Sequence, residues 1–130
     1  MKTYKLKRTG DAALDFKGEM LATKTSKADK ADTRWHEATV YRTKGGCLVM
    51  QVVFHTTADK ELDHFFAKVT SPDRIADDFR EYDPMTNVLG FPPGEQSGQE
   101  QRHLEIELHA RYGEMTRLVL QQAGIVERVE

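Results

Sequence analysis

The chain has 130 residues, 38% hydrophobic and 31% charged, which fits one domain with a real core and a polar surface and is too short for two. Its net charge of −2 excludes a bulk attraction to nucleic acid, and its single cysteine, Cys47, excludes an internal disulfide. No apolar run approaches the ~20 residues that span a bilayer, and the basic start MKTYKLKRTG has no apolar segment behind it, so a cytoplasmic protein with no membrane contact is expected.

Residues 2–8 alternate weakly, with Tyr4 and Leu6 on one side, and Thr9-Gly10-Asp11 supplies a turn. A second run over residues 13–23 places Leu14, Phe16, Met20 and Ala22 on one face, which gives two N-terminal strands in a hairpin. Gly18 interrupts the second strand and marks a bulge or a close backbone approach. Residues 24–33, KTSKADKADT, have no apolar side chain larger than alanine and read as a long mobile loop.

The stretch RWHEATVYRTKGGCLVMQVVFHTT, residues 34–57, organises the chain. Two arms rich in β-branched and aromatic residues flank Gly45-Gly46, which reads as a hairpin with a two-residue loop. That loop pairs Tyr41 with Met50, Thr39 with Val52 and Glu37 with Phe54. Leu48, Met50, Val52 and Phe54 then form an apolar row at period two, directed at the core together with Trp35 and Tyr41. The other face carries His36, Ala38, Val40, Arg42, Val49, Gln51, Val53 and His55, a mixed set that calls for cover by a loop, a helix edge or a partner subunit.

A further strand over residues 62–70 follows a turn at residues 58–61, placing Phe65 opposite Phe54 and Ala67 opposite Val52. Ser71-Pro72-Asp73 starts a short helix, with Ser71 as N-cap. Ile75, Phe79 and Tyr82 form its inner stripe, Asp77, Asp78 and Glu81 its exposed acidic face, and Pro84 lies beyond its end. Residues 84–99 read as an irregular loop anchored by Met85, Val88, Leu89 and Phe91. Leu104, Leu108, Tyr112, Met115 and Val119 then share a stripe that favours one long helix over residues 99–123, closed by Gly124. Alternation through residues 103–110 leaves a strand there as the other reading.

These elements define an α+β fold, an antiparallel meander sheet of about five strands with one short and one longer C-terminal helix packed on one face. The inferred registers align His36, His55 and His64 across three strands, with neighbouring Cβ atoms about 4.5–5.5 Å apart. Two such imidazoles can share a transition metal, which makes a metal-dependent enzyme the third functional reading.

Charge is segregated along the chain. Residues 1–44 hold 11 Lys and Arg against 6 Asp and Glu, a balance of +5, and the remainder stands at −7. Lys24, Lys27, Lys30, Arg34 and Arg42 are accordingly the candidates for contacting nucleic acid, the second reading. The first reading is a binding or interaction protein that forms a homodimer, with Val40, Val49, Val53 and Phe66 as interface candidates and a further protein partner. No cofactor is expected, and no G-x-S-x-G, C-x-x-C or phosphate-binding glycine loop is present.

Residues 34–50, RWHEATVYRTKGGCLVM, with residues 16–22 before them and residues 71–75 after, resemble small uncharacterised bacterial proteins of the EXLDI type. Those carry a similar W-x-E-x-x-x-Y-R-T-x-G-G segment, then a Pro-initiated short helix and a C-terminal helix. The resemblance implies a bacterial origin and the same fold outline, and transfers no functional residue.

Overall fold

Five strands, β1 (Lys2–Leu6), β2 (Leu14–Thr25), β3 (Arg34–Thr43), β4 (Leu48–Thr56) and β5 (His64–Thr70), pair antiparallel in chain order. Helices α1 (Ile75–Glu81) and α2 (Ser97–Gln122) follow and pack against the resulting half-barrel. This is a computed structural model, and it describes residues 1–89 and 97–125. The segment around Phe91 lies outside the described residues. No helix among them is long and apolar enough to cross a membrane.

β4, between β3 and the edge strand β5, is apolar on both faces. On one side Leu48, Met50 and Val52 join Ala22, Ala38 and Val40 beneath Ile75, Phe79 and Tyr82 of the α1 segment and Tyr112, Met115 and Val119 of α2. On the other side Val49 packs with Leu6, Tyr41 and Ala67, flanked by Tyr4, Leu14 and Phe16. The sheet curls to achieve this. The turn after β1 reaches β5, where the Thr9 N–H donates to the Phe65 carbonyl at 2.8 Å and the Phe65 N–H donates to the Thr9 hydroxyl at 2.9 Å. The face of β4 that carries Val49 and Val53 is thus covered from within the chain.

Both strand registers differ by one residue from the sequence expectation. The hairpin loop is Lys44-Gly45-Gly46, not Gly45-Gly46. The Thr43 N–H donates to the Cys47 carbonyl at 2.8 Å, the Thr43 hydroxyl accepts from the Cys47 N–H at 3.1 Å, and Gly46 takes φ +90°. This is the three-residue hairpin whose last position favours glycine. Val40 therefore faces Met50, and His36 faces Phe54. A one-residue slip turns a whole strand over, so His36, Ala38 and Val40 go under the helices while Trp35 and Tyr41 move to the inner face. The β4–β5 turn is also wider than four residues, because Glu61 folds inward to Arg34, and Phe65 consequently opposes Val53.

The close approach expected at Gly18 is present: a Cβ there would overlap the Arg42 carbonyl oxygen, while the bulge itself falls between Met20 and Ala22. Residues 26–33 are held, not loose. The Asp32 carboxylate accepts from the Ala28 and Asp29 amides and pairs with Arg111 of α2 at 3.0 Å. Asp78, expected on an exposed acidic face, is buried against β5. The long-helix reading of residues 102–110 holds, and α2 ends in a Schellman motif at Gly124, φ +75°, with the Ile125 N–H bonded to the Leu120 carbonyl. Gly18→Ala is expected to destabilise the fold by about 2 kcal/mol or more, since backbone must shift to admit the methyl group. Urea unfolding monitored by circular dichroism checks this.

Candidate site between the two helices

The register separates the three histidines. His36 and His64 lie on the helix face with Phe54 between them, and His55 lies on the opposite face, stacked on Trp35 at 5.4 Å. The row expected from the sequence does not form, and among the described residues no group of three or more His, Cys, Asp or Glu side chains is arranged to hold a metal ion.

His36 is fully buried, enclosed by the rings of Phe54 at 5.2 Å, Tyr112 at 5.4 Å and Tyr82 at 6.1 Å. The Pro84 carbonyl approaches it, but neither ring nitrogen reaches hydrogen-bond geometry with any partner. Burial pushes its pKa down to about 4, against the smaller opposing pull of that carbonyl, so the ring is neutral at pH 7. His64, half-buried, sits with Nδ1 3.4 Å from the Tyr82 hydroxyl, and burial lowers its pKa as well. The Tyr82 and Tyr112 phenols are both raised by burial and stay protonated. Tyr112 donates to the Phe79 carbonyl at 2.6 Å, which fixes α2 to α1.

Tyr82 divides two open clefts. One, of about 440 Å³, lies between β5 and α1 and is lined by His64, Phe66 and Lys68. There Asp78 accepts from Lys68 at 2.9 Å and from Thr70 at 2.5 Å. Burial acts to raise the Asp78 pKa, but these two partners outweigh it and hold the carboxyl below its usual range. The other cleft, of about 510 Å³, lies between the end of α1 and the middle of α2. Tyr82, Asp83, Pro84 and Tyr112 line it together with Arg80 and Glu81 on one helix and Glu105, His109, Gly113 and Thr116 on the other.

Gly113 is notable for having no packing reason. A glycine inside a helix costs about 1 kcal/mol relative to alanine, yet a Cβ at this position would meet nothing within 4 Å. Glu81 and Glu105 have no hydrogen-bonded or ion-pair partner among the described residues.

The remaining candidates disperse. Arg34 clamps Glu61 with Nε at 2.9 Å and Nη2 at 2.6 Å, and Thr56 and the Leu89 amide complete the shell of that buried carboxylate. Burial works to raise the Glu61 pKa, and these donors bring it below the ordinary value. Arg42 sits 3.6 Å from Glu19, Lys24 pairs with Ala38 on the helix face, Lys27 lies over the Trp35 ring at 4.1 Å, and Lys30 is exposed in the loop. Val40 is in the helix-side core, Val49 and Val53 are buried on the inner face, and Phe66 lines the smaller cleft. The three valines are therefore unavailable as an exposed interface. Tyr82 and Gly113 were not singled out as functional from sequence; a glycine in an otherwise helical stripe was the available signal.

No protein-family model, curated protein or solved structure compared with this chain matches it.

Through His36 the stability of the fold is independent of pH above about pH 6.5 and falls as the pH drops toward 4, at about 1.4 kcal/mol per pH unit, because the unfolded chain takes up the proton that the folded core refuses. His36→Phe is expected to flatten the stability curve across that window, read by urea midpoints at half-unit pH steps. Glu61→Ala, which removes the buried carboxylate shared by Arg34, Thr56 and the Leu89 amide, is expected to cost about 3 kcal/mol at pH 7 in the same assay.

Proposed function

We propose that this is a binding protein whose ligand sits in the cleft between α1 and α2. The observation that carries this reading is Gly113. It occupies the wall of the 510 Å³ cleft, where the helix gives up stability for a side chain that no neighbour in the chain needs removed. Space kept at such a cost on an aromatic-floored cleft fits a guest.

The test uses the full chain and Gly113→Leu, which fills the cleft and removes a helix-weakening residue. The variant alone should unfold at the same temperature as the parent or higher. Aromatic amines, aromatic acids and neutral aromatics, screened by thermal shift, should include members that stabilise the parent and leave Gly113→Leu unaffected. Equal shifts for both chains across the whole screen would sink the reading.

A second reading, self-association, rests on the first part of α2. None of residues 98–107 is buried, so about 15 Å of helix stands clear of the sheet, with Ile106 64% exposed. A helix end with so little of its surface buried is weakly supported in water, and a second copy would add support. Light scattering should give a dimer for the parent and a monomer for Ile106→Glu; a monomeric parent removes this reading.

A further inference from the structure

We infer that the guest of the α1–α2 cleft is a small organic cation, an amine carried on a flat apolar body; the inference rests on the cleft being the binding site. Glu81 from α1 and Glu105 from α2 both line this cleft, and neither makes a hydrogen bond or ion pair among the described residues. Arg80 lines the cleft as well, and its guanidinium is paired with Asp77, leaving the carboxylates in excess. Asp83 adds a third carboxylate to the same cleft, with one oxygen accepting from the Met85 amide at 2.9 Å. Like charges around a recess with low-dielectric walls concentrate the field and draw in the opposite sign.

The body of the guest is specified by the floor. Tyr82 and Tyr112, 8% and 5% exposed, stack on one another at 5.7 Å with 30° between their planes, beside Pro84, and the limited aromatic surface they leave to the cleft attracts both apolar rings and ammonium groups. Directly behind that floor lies His36, fully buried with both ring nitrogens unpartnered and neutral, so the protein places no positive charge beneath the site. A guest of negative charge would meet the carboxylates at close range, and a neutral one would cover them without compensation. Gly113 leaves the room on the α2 side for the ring.

The experiment is a titration of the isotope-labelled full chain, followed by amide NMR, with 2-phenylethylamine, phenylacetate and 2-phenylethanol. These probes share a ring and differ in charge. The amine is expected to move the amide signals of Glu81, Gly113 and Thr116 saturably and to bind about tenfold or more tightly than phenylacetate. The double variant Glu81→Gln, Glu105→Gln keeps the shape of the cleft. It should weaken amine binding about tenfold while leaving the unfolding midpoint and phenylethanol binding unchanged. If phenylacetate or phenylethanol moves the same amides with an affinity equal to that of the amine, the cleft stands as a binding site and the cationic guest is rejected. If none of the probes moves these amides, both readings fall.

Discussion

A strand that is apolar on both faces must be covered on both, and β4 imposes that demand on the rest of the chain. Met50, Val52 and Phe54 require a layer on one side, which α1 and α2 provide. Val49 and Val53 require a second layer, and among the described residues no further helix supplies it, so the sheet bends and the β1–β2 hairpin folds across. The position of the α1–α2 cleft follows from this arrangement. The helices lie over the sheet because β4 needs them there, and the cleft is the seam left where the short one ends beside the long one.

The element order, the helix-side row of β4 and the Schellman end of α2 could be read from apolar periodicity and from Gly124. The registers could not, for a physical reason. Where only one face of a sheet is buried, alternation fixes the parity of each strand. Here both faces of β4 are apolar, so either parity for β3 gives an apolar partner, and the choice passes to loop geometry. One threonine hydroxyl at Thr43 and one positive φ at Gly46 decide it. The cost of missing them was the full histidine pattern and the placing of Trp35. The candidate site was less legible still, since it depends on how far α1 runs beside α2, a distance set by Tyr112 reaching the Phe79 carbonyl.

Three buried polar groups show three different solutions to one difficulty. Glu61 is satisfied by four donors, including a forked guanidinium, and its site is an anchor for the β4–β5 turn and for Leu89. Asp78 is satisfied by one cation and one hydroxyl and ties α1 to β5. His36 is satisfied by neither, and stays neutral instead. The first two stabilise the frame. The third is a standing cost at the point where the aromatic floor of the cleft is assembled.

The hydrogen bonds between Thr9 and Phe65 have a consequence for aggregation. In an open meander the first and last strands present unpaired backbone groups that can template intermolecular sheets. In this chain the turn after β1 occupies backbone groups of β5 at Phe65, and β1 itself carries exposed lysines at Lys2 and Lys5. Charge on one edge and a threonine clasp on the other discourage strand-to-strand growth between molecules.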